Sequence, residues 1–258
     1  NNSHEGIDMD RWIWTLKNRC WENVPDAFIA PSPWMAEKAR KSKIARNTPT
    51  FVIPNTIDTN KYKPIDRKTA RHSMNIPKDG SAIAFGAVNP TSNIMKGFNL
   101  LQEAMGKLNN CNTTVLIFGA SQGPGEEAFG FPTQYLGYLH DDVTRALIYS
   151  AADVMLVPSR IESFGLTAAE ALSCGTPVVC FNTSGLRSVV DHEETGYLAK
   201  PFSTEDLARG IEFVLNPERN SSLSREARAQ AAERFNYSKV AVNHIKTYKH
   251  IKQVSKNI

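Results

Sequence analysis

The sequence predicts an α/β protein built on a doubly wound parallel sheet, and three observations lead there. First, from Ser81 onward, continuous apolar runs recur at Ala82–Phe85, Thr114–Phe118, Val154–Val157 and Pro177–Phe181. Strands that are apolar on both sides belong to parallel sheets covered by helices on each face. Second, helix-patterned stretches at Gly97–Leu108, Asp142–Ser150 and Leu166–Ser173 separate these runs, as in successive βαβ units. Third, the punctuation falls between elements: Cys174-Gly175-Thr176-Pro177 ends a helix just before a strand, where Gly and then Pro act as a stop signal. A doubly wound sheet takes its ligands at the carboxyl ends of its strands, so function is sought in the loops that follow these runs.

The elements read in order as follows. In residues 1–60 a helix is expected over Arg11–Trp21, with Trp12, Ile13, Leu16 and Cys20 sharing a face and Arg11, Lys17 and Arg19 around them. A strand at Ala27–Ala30 closes on Pro31-Ser32-Pro33, a helix follows at Trp34–Lys41, and a strand at Phe51–Ile53 stops at Pro54-Asn55. Helix, strand, helix, strand is the tail of an α/β domain. Residues 1–10 carry neither an initiator Met nor an opening strand, so the chain reads as the remainder of a longer protein. Residues 61–80, with Pro64, Pro77 and Gly80, read as a connection containing a short helix at Arg67–Met74. After the main sheet come a helix at Thr204–Leu215 and helical sequence from Ser224 to the end. The last helix, Ser238–Lys256, is rich in Lys and places Val240, Ile245, Tyr248 and Ile251 on one face. A docked terminal helix with a solvated basic face is preferred; a basic amphipathic helix for an anionic membrane is the alternative.

Composition narrows the function classes. The 258 residues are 41% hydrophobic and 22% charged, the profile of a chain that buries a core. The net charge of +4 suits an anionic ligand such as a nucleotide diphosphate, or an anionic membrane surface. No Lys/Arg run is dense enough to track nucleic acid. Cys20, Cys111, Cys174 and Cys180 form no C-x-x-C pair, so neither a zinc nor a redox motif is present. Cys174 and Cys180 sit in apolar surroundings, where reduced, buried thiols are the default, and a reducing, cytoplasmic location is expected. No apolar run reaches membrane-spanning length and no signal peptide opens the sequence.

The chemistry concentrates in Pro158-Ser159-Arg160-Ile161-Glu162-Ser163-Phe164-Gly165-Leu166-Thr167-Ala168-Ala169-Glu170-Ala171-Leu172. A strand ends at Val157, a loop carries Glu162, Gly165 allows close backbone approach, and the helix that starts there carries Glu170. Free N–H groups at the helix start make an anion site. Two carboxylates flanking it suit a ligand with a central diphosphate and hydroxylated ends. The plainer alternative makes Glu162 a surface loop residue and Glu170 a solvated one. Ala168, Ala169, Ala171 and Leu172 argue against that for Glu170, because they make the helix apolar and an unpaired buried charge is costly. A structural salt bridge is the remaining competitor to a functional role. His140, Asp141 and Asp142 cluster, but at a helix start, where Asp caps the first turn; that reading is preferred to a metal site.

The pattern Glu162, seven residues, Glu170, with Phe164-Gly165 after the first and Ala171-Leu172-Ser173-Cys174-Gly175-Thr176-Pro177-Val178-Val179 after the second, resembles the retaining glycosyltransferases of GT-B fold (family 4, or group 1, type). More narrowly it is similar to the bacterial group that builds capsule, O-antigen and exopolysaccharide chains. The resemblance continues through Val52–Asp58, Lys96-Gly97, Phe118-Gly119, Gly137-Tyr138-Leu139, Ala151–Val154, Gly185 and Thr195–Leu198, and so covers essentially the whole chain. It implies two Rossmann-like domains: the tail of an acceptor-binding domain in 1–60, a connection in 61–80, a nucleotide-sugar donor domain in 81–236, and a C-terminal helix in 237–258 that crosses back to the first domain. It also implies that Glu162 contacts the donor sugar hydroxyls and that Glu170 binds the ribose. Lys96 would neutralise the diphosphate leaving group. The backbone of Ser163, Phe164, Gly165, Leu166 and Thr167 would lie against sugar and diphosphate. Gly86 and Gly119 would line the donor site, and Tyr138 and Leu139 would fall where the nucleobase packs. From the residues alone, Lys96 would pass for an ordinary solvated Lys before a Gly.

The sequence departs from the family in two ways. Ala87 and Met95 stand where an Arg partner of Lys96 is usual, and Arg160 reads as a surface residue rather than its substitute. The first domain's glycine-rich loop is absent, and His4 lies too near the start to assign. The resemblance implies front-face transfer with retention: the departing phosphate oxygen takes the acceptor proton, and neither enzyme nucleophile, metal nor cofactor is needed. The expected partners are a nucleotide sugar (UDP-linked before GDP-linked), a glycan or lipid-linked acceptor, the missing first domain and the inner face of the cytoplasmic membrane. Two alternatives are a nucleotide-sugar-binding module without turnover of its own, and an epimerase or phosphorylase of related fold. The Glu-Ser-Phe-Gly segment favours transfer.

Overall fold

The structure is a computed structural model that describes residues 8–21, 26–86, 93–109, 112–124 and 126–255. Strands β1 (Phe28–Ala30) and β2 (Thr50–Val52) form a small parallel pair. The main sheet contains β3 (Ser81–Gly86), β4 (Thr113–Phe118), β5 (Thr133–Tyr135), β6 (Val154–Val157), β7 (Val178–Phe181) and β8 (Gly196–Ala199). All its pairings are parallel, in the order β5-β4-β3-β6-β7-β8. The chain winds outward from β3 to β5, returns to the centre at β6 and winds the other way. This is the Rossmann-type order, and its switch point, where ligands bind, lies between β3 and β6.

The continuous apolar runs are explained by two cores, one on each face. Ala82, Ala84, Leu116, Met155, Val157, Val178 and Cys180 face one core. Ile83, Phe85, Val115, Ile117, Val154, Leu156, Val179 and Phe181 face the other. Strands β5 and β8 are the two edges and escape the apolar-run criterion. β5 is Thr-Gln-Tyr and half-buried, and β8 is short and opens with Gly196.

The helices are α1 (Met9–Trp21), α2 (Pro33–Lys41), α3 (Arg67–Ser73), α4 (Phe98–Met105), α5 (Glu126–Phe129), α6 (Asp142–Ala151), α7 (Leu166–Ser173), α8 (Thr204–Leu215), α9 (Pro217–Arg234) and α10 (Tyr237–Ser255). Helix α1 forms at its expected place, starting two residues earlier. No residue of it is buried, and Trp12, Ile13, Leu16 and Cys20 are all exposed. Periodicity shows which residues share a face but not what covers it. The helical sequence after Ser224 divides into the end of α9, which starts earlier at Pro217, and α10, which starts within a residue of the expected Ser238. Buried Phe235 and Asn236 interrupt it, because the Phe235 carbonyl accepts from the Ile57 N–H (2.8 Å) and the Asn236 amide donates to Thr59 (2.8 Å). Of the face expected on the last helix, Val240 is buried while Ile245 and Tyr248 are exposed. Helix α10 does reach the first region, with the His250 ring edge-on to Phe51 at 5.9 Å. No helix among the described residues is long and apolar enough to cross a membrane.

The connection at 61–80 is pinned firmly. Arg71 of α3 is buried and donates to the carbonyls of Ala151, Lys78 and Gly80 and to Asp153 (2.7 Å). Asp153 also accepts from Arg67 (2.6 Å) and from the Ala82 N–H (2.7 Å). This network ties the connection to the starts of both strands at the switch point.

Candidate functional site

The site is assembled where the loops after β3 and β6 meet. Residues 94–96 form a 3-10 turn capped by Asn93 and closed by Gly97 at φ +71°. A Cβ on Gly97 would lie 2.0 Å from the Pro158 carbonyl oxygen, so only glycine lets the two loops touch. The Arg160 N–H donates to the Met95 carbonyl at 2.8 Å and holds them together. The result is an ion pair between Lys96 Nζ and Glu162 Oε1 at 2.6 Å, with both side chains half-buried.

The Glu162 loop is fixed from two sides. Its own N–H donates to Ser184 Oγ (3.0 Å), and its carbonyl accepts from the Gly185 N–H (2.8 Å). Ser184 adopts φ +49°, a strained conformation for a serine that is typical of over-determined sites. From the first region, fully buried Ser32 donates to the Ser163 carbonyl at 2.6 Å while capping α2. Phe164 offers the site only its backbone, because its ring is buried edge-to-face on Phe235 at 5.4 Å. Gly165 starts α7 at φ +108° with no side-chain cap. The first N–H groups of α7 are thus uncapped, with Leu166 exposed and Thr167 half-exposed beside them. This is an anion-binding arrangement next to a lysine.

Glu170 occupies a second network one turn further along α7. The hydroxyl of Tyr149, a fully buried side chain of α6, donates to Glu170 Oε2 at 2.8 Å. Burial raises the carboxyl above its ordinary value; the Tyr149 hydrogen bond and the charge of Arg145 pull the other way without reversing it. The structural salt bridge foreseen as a competitor is not formed: among the described residues no cation pairs with Glu170 within 4.0 Å. Arg145 instead pairs with Asp142, which also accepts from Tyr62 (3.0 Å) and Lys61 (3.2 Å). Those three donors hold Asp142 below the usual carboxylate range. Asp141 caps α6 by accepting from the Thr144 N–H (2.7 Å). Among the described residues no cluster of three His, Cys, Asp or Glu is placed to hold a metal ion.

The remaining candidates line the same edge of the sheet. Gly86 ends β3, where a Cβ would overlap the Phe118 ring at 2.1 Å. Gly119, at φ +88°, donates to the Gly137 carbonyl (2.8 Å) and ties the loops after β4 and β5. Tyr138 is half-exposed beyond that tie, and Leu139 packs partly into the core. Arg160 is not a plain surface residue. It is half-buried, its guanidinium lies 5.3 Å from the Phe202 ring, and its Nε is buried with no partner among the described residues. Met95 is partly exposed, whereas Ala87, His4 and Cys111 lie outside the described residues. A cleft of about 720 Å³ between the first region and α10 is walled by Pro31, Pro54, Phe164, Phe235 and Val242 and contains none of Lys96, Glu162 or Glu170. Proximity of donors and charge, not cavity size, marks the site. Ser32, Ser184, Tyr62 and Tyr149 carry no signature in the sequence, since their partners lie 21 or more residues away in the chain.

A doubly wound parallel sheet with a lysine, a carboxylate and an uncapped helix start at its switch point defines a Rossmann-like α/β protein of GT-B type. The chain belongs to the family "Glycosyl transferases group 1", whose model matches residues 88–234, more than half of it. It is 36% identical over 200 residues to a D-inositol 3-phosphate glycosyltransferase of Saccharomonospora viridis, a match covering 70% of this chain and 45% of that protein. The chain thus spans about half the length of the curated relatives it matches. Among solved structures it is similar to sucrose-phosphate synthase of Thermosynechococcus elongatus (TM-score 0.80, 27% identity, 98% of this chain and 64% of that one). It shares its fold with Anabaena HepE in complex with UDP and glucose (TM-score 0.76, 21% identity, 93% and 66%).

Proposed function

We propose that this chain supplies the donor half of a retaining glycosyltransferase that moves a sugar from a nucleotide diphosphate, UDP before GDP, to an acceptor. The observation that carries the reading is the Lys96–Glu162 pair beside the uncapped start of α7. Lys96 and the α7 N–H groups face the diphosphate and stabilise it as it leaves. Glu162 accepts hydrogen bonds from the sugar hydroxyls, Glu170 from the ribose, and the nucleobase lies by Tyr138 and Leu139. The acceptor attacks from the face the diphosphate leaves, and a phosphate oxygen takes its proton. Neither carboxylate is a nucleophile, and no metal is required.

The acceptor is a glycan or lipid-linked glycan of surface polysaccharide synthesis at the inner face of the cytoplasmic membrane. A phosphorylated polyol is the second reading, favoured by relatives named for D-inositol 3-phosphate. The acceptor side is completed by a preceding domain, so the 258-residue chain alone binds donor without turnover. Calorimetry with UDP, GDP and their glucose esters tests donor binding. In the complete protein Glu162→Ala abolishes transfer, Glu170→Ala weakens donor binding, and chelators change nothing. Normal turnover in both variants would refute the assignment.

A further inference from the structure

We propose that Tyr149 is a positioning residue for donor binding: its buried hydroxyl fixes one oxygen of Glu170 so that the rest of the carboxylate is aimed at the donor ribose. The inference rests on the nucleotide-sugar reading above and assigns a residue to it. The Tyr149 ring has little freedom. It packs edge-on against Phe118 at 5.7 Å and lies tilted against Tyr62 at 6.3 Å, and its own carbonyl accepts from Thr176 Oγ1 at 2.6 Å. Its hydroxyl is therefore a fixed point in the core, 2.8 Å from Glu170 Oε2.

The chemistry of the partner is informative. A Lys or Arg in that place would neutralise the carboxylate and compete with any incoming hydroxyl. A phenol donates one hydrogen bond, orients the group and leaves its charge in place. Arg145, the nearby cation, is paired with Asp142, as are Tyr62 and Lys61. The groups facing Glu170 are thus Tyr62 from the connection, Asp142, Arg145 and Tyr149 from α6, and Cys174 just beyond α7. The Cys174 thiol is pushed up to about 12, first by burial and then by the Glu170 charge. Between acidic and neutral pH, Glu170 is the group of this set that changes charge, since Asp142 is held low and both tyrosines are raised by burial.

The test is Tyr149→Phe in the full chain, titrated by calorimetry with UDP and, separately, with inorganic pyrophosphate from acidic to neutral pH. The expected result is UDP binding weakened about tenfold or more, the order of one hydrogen bond to a charged group, with pyrophosphate binding unchanged. The pH at which UDP affinity is half lost moves upward, because the carboxylate has lost a donor that favours its charged form. In Glu170→Gln that pH dependence disappears. Equal loss of UDP and pyrophosphate affinity, or a variant that fails to fold, would make the hydroxyl structural and overturn the inference. UDP binding by the unaltered chain that Tyr149→Phe leaves untouched overturns it alone. An unaltered chain that binds neither probe brings down the nucleotide reading as well.

Discussion

Asp153 and Glu170 are both carboxylates set among apolar helices and strands, yet the fold equips them in opposite ways. Asp153 meets two arginines and a backbone N–H at 2.6–2.7 Å. Glu170 accepts from the Tyr149 phenol at 2.8 Å, with Tyr62 adding only a minor contribution, and its carboxyl rises above its ordinary value because burial outweighs these donors and the Arg145 charge. A saturated carboxylate holds the chain together. An unsaturated one, kept in a half-buried position by rigid neighbours, has capacity left for a ligand. The Lys96–Glu162 pair lies between these extremes: the charges are matched, but both side chains remain partly open to solvent where a diphosphate sugar would enter.

The largest expected effect breaks the saturated side. Asp153→Ala leaves Arg71 buried without its partner and costs about 3–5 kcal/mol, read as a lower denaturant midpoint. Next, Lys96→Ala in the complete enzyme lowers kcat about a hundredfold, the scale of losing one preorganised electrostatic stabiliser, with stability nearly unchanged. A kcat equal to that of the unaltered enzyme would remove Lys96 from the chemistry. Smaller is Gly165→Ala: a side chain at φ +108° with its Cβ 2.6 Å from Leu186 Cδ2 costs about 1–3 kcal/mol of strain and weakens pyrophosphate binding by displacing the start of α7.

The smallest effect is a gain. The folded-state carboxyl of Glu170 is raised, so as pH climbs past the ordinary glutamate range the unfolded chain ionises first and the folded state loses stability relative to it. Glu170→Gln removes that loss. The variant melts higher than the unaltered protein toward neutral pH, and the difference shrinks as pH falls. The same difference at all pH values would show that Glu170 ionisation is not the cause.

Much of the frame was legible in advance. The bounds of α7 and α8 match their expected ranges, and the central strands fall within a residue or two of the apolar runs. The resemblance also singled out Lys96 and Glu162, which the fold places in contact although 66 residues separate them. Tyr149 was hidden because a tyrosine in an apolar helix looks like core, and its ring is indeed core; only its hydroxyl reaches Glu170. Ser32 was hidden by distance, since its partner Ser163 lies 131 residues away. Edge strand β5 lacked the two-sided burial that makes a strand readable, and β8 was masked by its brevity and its opening glycine, although Tyr197 and Ala199 pack on one core and Leu198 on the other.

The sequence by itself determined the alternation of strands and helices, the glycine that opens α7, and the pairing of a loop carboxylate with a helical one. Those properties are local: they depend on periodicity, punctuation and the φ angles each residue tolerates. The tertiary structure decided which carboxylate is saturated, which cation reaches which anion, and that the helix around Trp12 and Leu16 keeps its apolar face exposed. Those outcomes depend on what arrives from elsewhere in the chain, and a side chain's neighbours across the fold are not encoded in its own segment.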